Sequence, residues 1–260
     1  MNAVTKGDVA ILIGAGKANG VGAATALLLA QKGYNILINC RQSESEANEL
    51  VRQCRDFGVE AELFMADVTS SHTCKEMAEY VEKKWGRANV LVNCLGTTKI
   101  VPYDKLDQLT GDDFARIFSV NVTAPYLVVQ AFEKLLRNST NSSVVNVSST
   151  AGMSGSGSSI AYCASKGALN TLTLSLAMAL SPQVRVNAVC PGFIDSSWWG
   201  DSATNKDAYN LKLQSVKDSN LLHQVITPSD VGNIIVNIIN SPKMTGELVR
   251  VDAGKHLVRG

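Results

Sequence analysis

Two periodicities alternate along the chain. Short runs that are apolar throughout, Asp8–Ile13, Asn35–Cys40, Ala61–Met65, Val90–Asn93, Val144–Ser148, Val184–Val189 and Glu247–Val251, read as strands. Between them lie stretches with helical spacing of Ala, Leu and Ile at Gly20–Lys32, Glu44–Phe57, Ser71–Trp85, Asp112–Arg137, Ala161–Leu180 and Ser229–Ile239. A strand without alternation must be covered on both faces, as in a parallel sheet flanked by helices. Right-handed crossovers then predict an α/β fold, a doubly wound parallel sheet of about seven strands. No linker, charge run or repeat divides the chain, so residues 1–260 read as one domain. The polar segment at about 197–223 has weak structural signals and reads as a loop.

Composition narrows the function classes. Of 260 residues, 45% are hydrophobic and 18% charged, enough for a large core. The 24 basic and 23 acidic residues give a net charge of +1 with no basic block, which argues against nucleic acid as a partner. The longest apolar stretches, near Ala23–Ala30 and Leu169–Leu180, are too short or interrupted to cross a bilayer. Met1–Asp8 holds no apolar secretory core, and six cysteines show no paired short spacing, so reduced thiols and a cytoplasmic location are expected. His72, His223 and His256 are isolated, so no metal is expected.

The first strand leads directly into Gly14-Ala15-Gly16-Lys17-Ala18-Asn19-Gly20-Val21-Gly22 and then a helix. A glycine-rich turn between strand and helix lets backbone approach a pyrophosphate, which the free N–H groups of the helix start favour. Preference between dinucleotides is read at the end of the second strand, where an acidic residue would bind ribose hydroxyls. Here the strand ends in Asn39-Cys40-Arg41 instead. Arg41, with Lys17 from the glycine loop, suits a 2′-phosphate and predicts NADP(H) over NAD(H). Asp67, beside Val68 after the third strand, is placed to accept from an adenine amino group.

Tyr162 and Lys166 are four apart at a helix start and share a face. Ser149 ends the preceding strand, where open α/β sheets gather ligands. A neighbouring ammonium, helped by the positive charge of an oxidised nicotinamide, lowers a phenol's pKa from its ordinary value near 10. Tyr162 then reads as a proton donor to a ketone oxygen, or acceptor from an alcohol, with Ser149 hydrogen-bonding that oxygen. A regulatory dinucleotide-binding protein of the same fold is the alternative.

The glycine loop, Asn93-Cys94-Leu95-Gly96, Asn121, Ser149, Tyr162-Cys163-Ala164-Ser165-Lys166, Pro191-Gly192 and Val251-Asp252-Ala253-Gly254 occur in the order found in one family. Over nearly its whole length the chain resembles the short-chain dehydrogenase/reductases, and within them the 3-oxoacyl-thioester reductase and glucose dehydrogenase branch. The resemblance implies a Rossmann-type fold and a fourth catalytic residue, Asn121, which positions a water linking Lys166 to solvent. It also implies that Lys166 holds the nicotinamide ribose, that Asn93 and Gly96 serve the sheet and the cofactor, and that Pro191, Gly192, Ile194 and Ser196 meet the nicotinamide side. It further implies a homotetramer, with a dimer as fallback, joined through Asp112–Arg137, Ala161–Leu180 and the last strand.

Two departures stand out. The glycine loop carries two extra residues within Lys17–Asn19, and Cys94-Leu95 replace the usual Asn-Ala. Enoyl-thioester reductases usually separate Tyr and Lys by more than four residues, so the spacing here favours a carbonyl reductase. The substrate is expected to be a small-molecule ketone or secondary alcohol, a 3-oxoacyl thioester by resemblance. Met153, Ser154, Trp198, Trp199 and Tyr209 are the expected pocket residues.

Overall fold

The computed structural model describes residues 7–196, 198 and 206–258. Its seven strands, β1 (Val9–Ile13), β2 (Asn35–Cys40), β3 (Ala61–Met65), β4 (Val90–Asn93), β5 (Ser142–Val147), β6 (Val184–Pro191) and β7 (Leu248–Val251), form one sheet in the order β3-β2-β1-β4-β5-β6-β7. Every pairing is parallel. All five residues of β1 have zero exposure, the consequence of cover on both faces.

On one face Ala10 and Leu12 of β1 pack against α1 (Val21–Gln31), α2 (Glu44–Arg55) and, across the sheet, α9 (Pro228–Ile239). On the other, Val9, Ile11 and Ile13 join α3 (Ser71–Trp85), α5 (Ala124–Asn138) and α7 (Ile160–Leu180). Strand alternation thus feeds two separate cores. The order reverses between β1 and β4, so the chain leaves their carboxyl ends in opposite directions and opens a crevice there.

Three features differ from the pattern expected of the sequence. The long helix over Asp112–Arg137 is α4 (Gly111–Phe118) joined to α5 by one π-helical stretch, Ser119–Thr123. A single inserted residue keeps the apolar spacing nearly intact, which hides the break. The segment 197–223 contains a helix, α8 (Lys206–Ser219), which buries none of its residues and so carries no apolar stripe. A short helix, α6 (Ala151–Ser154), follows β5. Among the described residues, no helix is long and apolar enough to cross a membrane, and no group of three His, Cys, Asp or Glu could hold a metal.

Candidate active site

At the carboxyl ends of the strands lies a cleft of about 1310 Å³. Eighteen of the sequence-derived site residues line it: Gly14, Gly16, Lys17, Gly20, Val21, Gly22, Arg41, Asp67, Val68, Gly96, Ser149, Tyr162, Lys166, Pro191, Gly192, Ile194, Ser196 and Trp198. The glycine loop is built for close approach. A Cβ on Gly16 would stand 2.6 Å from the Cβ of Cys40, and one on Gly22 would stand 2.7 Å from the Cα of Ala15. Gly14 has φ +74°, a conformation that side-chain-bearing residues avoid. Helix α1 begins after Gly20 with no side-chain cap and no carboxylate in its first turn. Its N-terminal N–H groups therefore face the crevice without an internal anion, and this donor set fits a dinucleotide phosphate.

The chemistry gathers where β5 meets α7. Ser159 accepts from the Tyr162 backbone N–H at 3.3 Å and fixes the first turn of α7. That turn sets Tyr162 and Lys166 on the face toward β5. Lys166 is 2% exposed, and its Nζ donates to the carbonyls of Val147 at 2.9 Å and Leu95 at 3.4 Å. The same Nζ lies 5.8 Å from the centre of the Tyr162 ring. Burial lowers the Lys166 pKa to about 8, against the opposing influence of Cys190 and Cys94. Ser149 receives the Ala151 N–H on its Oγ at 3.1 Å and hydrogen-bonds Tyr162.

The electrostatics show what the cofactor's charge must supply. Without the positive charge of an oxidised nicotinamide, the protein's own groups do not acidify Tyr162: burial pushes it up to about 12, and Ser149 only moderates that rise. Lys166 spends its donors on two carbonyls, and desolvation outweighs what it offers the phenol.

Asn121 sits within the π-helical stretch, fully buried. Its amide is held by protein: Oδ1 accepts from Thr97 N at 2.8 Å, while Nδ2 donates to Thr97 O at 3.0 Å and Ser165 Oγ at 2.9 Å. It ties the helix to the strand-end loop beside Gly96 and does not line the cleft. Asn93 stays inside the sheet, donating to Asn146 Oδ1 at 2.9 Å, the sheet role expected of it; it does not line the cleft, so it is not among the cofactor contacts.

The substrate side also departs from expectation. Trp198 lines the cleft, its ring 6.3 Å from that of Tyr162 and so close over Gly96 that a Cβ there would lie 2.7 Å from the indole. Trp199 lies outside the described residues. Met153 and Ser154 are not cleft residues: Met153 accepts from Arg250 at 3.5 Å, and Ser154 caps back to Thr150 O at 3.1 Å, because α6 turns them away. Tyr209 is also outside the cleft lining, its hydroxyl given to Asp195 at 2.7 Å. Sequence reasoning missed another wall, Ile100 to Tyr103 with Arg116, whereas Lys212 and Val216 of α8 fall in the segment 197–223 expected to hold the substrate loop. Tyr103 closes that wall by donating to Gly155 O at 2.7 Å and accepting from Gly157 N at 2.9 Å.

Comparison with known proteins agrees with this arrangement. Residues 14–256 match a family model described as Enoyl-(Acyl carrier protein) reductase. A Streptomyces violaceoruber protein assigned as ketoacyl reductase 2 of the granaticin polyketide synthase is 32% identical over 94% of each chain. The 3-oxoacyl-[acyl-carrier-protein] reductase FabG of Thermotoga maritima is 29% identical, over 96% of this chain and 98% of that protein. A Burkholderia xenovorans structure assigned to the short-chain dehydrogenase/reductases superposes with TM-score 0.88 at 35% identity, over 98% of this chain and all of that one. With a seven-stranded parallel sheet, a glycine loop at its crevice and a Ser, Tyr, Lys cluster at the end of β5, the chain belongs to the short-chain dehydrogenase/reductase family of NAD(P)-dependent oxidoreductases, on its 3-oxoacyl reductase-like branch.

Proposed function

We propose that this protein reduces a ketone to a secondary alcohol with NADP(H), and that its substrate is a 3-oxoacyl thioester. The observation that carries this reading is the gathering of Ser149, Tyr162 and Lys166 in one cleft, with the buried Lys166 ammonium 5.8 Å from the Tyr162 ring. A bound reduced nicotinamide supplies the hydride at the carbonyl carbon. The chain's own residues handle the oxygen. Ser149 Oγ–H donates to it as negative charge develops, and the Tyr162 hydroxyl gives up its proton. Lys166 holds positive charge beside the phenolate that forms. Asn121 keeps the Thr97 backbone and α7 in register through its three hydrogen bonds.

The four-residue step between Tyr162 and Lys166 supports carbonyl over enoyl reduction. NADP(H) is favoured by Lys17 and Arg41 at the cleft, and tighter binding of NAD(H) in a titration would overturn that preference. The protein is proposed to work in the cytoplasm as a homotetramer. Met178 and Leu174 of α7 and Tyr126 of α5, which are 76%, 40% and 42% exposed, offer an apolar face for self-association. The deciding experiment is Tyr162→Phe assayed on a 3-oxoacyl thioester. Turnover is expected to fall about 10²–10⁴-fold with cofactor affinity unchanged. Retention of most activity would refute the mechanism.

A further inference from the structure

Each cation expected at a 2′-phosphate already has a carboxylate. Arg41 Nη1 lies 3.2 Å from Asp67 Oδ2, and Lys17 Nζ lies 2.9 Å from Glu46 Oε1. The two pairs are not equivalent. Asp67 is committed to its own turn, accepting from both the N–H and the hydroxyl of Thr69. Glu46 reaches from the first turn of α2 to the glycine loop, where its second oxygen accepts from the Ala18 N–H at 3.0 Å. One carboxylate thus takes an ammonium and a backbone N–H from the same loop, the pair of donors an anionic oxygen seeks. Both donors belong to the stretch Lys17–Asn19, where the loop is two residues longer than usual.

We propose that Glu46 is an internal competitor for the 2′-phosphate of NADP(H): it occupies Lys17 and Ala18 and thereby sets how far the site discriminates NADP(H) from NAD(H). The inference rests on the dinucleotide reading above. The charges around the adenosine end are Lys17 and Arg41 against Glu44, Glu46 and Asp67. A phosphate arriving there meets an excess of carboxylates, and it gains Lys17 only after Glu46 lets go. A cofactor without the 2′-phosphate leaves the Glu46 bridge intact. Lys17 holds the Glu46 carboxyl below the usual range, so the competitor is ionised at neutral pH. The bridge is exposed, with side-chain exposures of 60% and 41%, so replacing Glu46 leaves the core untouched.

The test is calorimetric binding of NADP⁺, NAD⁺, 2′,5′-ADP and 5′-AMP to the full chain and to Glu46→Gln. Gln keeps an acceptor for Ala18 but carries no charge. Glu46→Gln is expected to tighten NADP⁺ and 2′,5′-ADP about three- to tenfold, the scale of releasing an exposed ion pair and removing one repulsion. NAD⁺ and 5′-AMP are expected to stay within about twofold, and adding Lys17→Met to Glu46→Gln should abolish the gain. An unchanged NADP⁺ affinity, or an equal gain for all four ligands, overturns the proposal while leaving the dinucleotide reading in place. Failure of the wild-type chain to bind either dinucleotide overturns both.

Discussion

Lys166→Met separates what the buried ammonium costs the fold from what it gives the reaction. Lys166 is 2% exposed, and its pKa falls from 10.5 to about 8 on burial. That fall is worth about 3 kcal/mol against the charged form in the fold at neutral pH. Against this relief, the variant strips the Val147 and Leu95 carbonyls of their donor, at about 1–3 kcal/mol for each buried acceptor left unpaired. The opposing effects are of similar size, so neutral-pH stability is expected to change by no more than about 2 kcal/mol. Reductase kcat/KM should nevertheless drop at least about 100-fold. The pH dependence is the sharper reading. Between about 8 and 10.5 the unfolded lysine still holds its proton while the folded one has released it, so wild-type stability rises with pH through that window relative to the variant. The buried thiols of Cys94 and Cys190, raised to about 12 and about 11, push the other way in both proteins; because Lys166 lowers both, the variant loses that influence and the cancellation is incomplete. Urea unfolding at fixed protein concentration, at pH 7.5 and 10.5, should show wild type gaining about 2–3 kcal/mol over Lys166→Met. A difference that does not change with pH would refute the buried-ammonium argument, and preserved turnover would refute the role of Lys166.

Gly22→Ala places a methyl 2.7 Å from the Cα of Ala15, backbone that cannot step aside. Stability should fall by about 1–3 kcal/mol, and dinucleotide affinity should fall with it, by thermal melting and calorimetry. Light scattering should return the mass of four chains, and Met178→Lys, on the exposed face of α7, should reduce that mass without altering the far-ultraviolet circular dichroism. A monomeric wild type would refute the assembly.

Much of the fold was legible because burial on two faces writes a distinctive pattern. The runs Asn35–Cys40, Ala61–Met65 and Val90–Asn93 coincide with β2, β3 and β4 as they stand in the structure. β2 and β4 are buried on both faces, while β3 at the sheet edge is only partly buried and still keeps its bounds. The reach of the chemistry was legible too, because Tyr162 and Lys166 are placed by helix geometry and Ser149 by the end of a strand. Where a residue's role depends on partners distant in sequence, the pattern was silent. Lys17 and Glu46 are 29 residues apart and Arg41 and Asp67 are 26 apart, so no local period reveals that both cations arrive paired.

The sequence by itself determined the sheet, its doubly wound connectivity and the cluster at the end of β5, since each follows from apolar periodicity, a glycine turn and short spacing. The tertiary structure alone decided the rest. It put α8 over the cleft although that helix has no buried stripe, turned Met153 and Ser154 away and raised the Tyr162 phenol to about 12. Desolvation and long-range charge pairing depend on which atoms surround a group in space, and neither leaves a local trace along the chain.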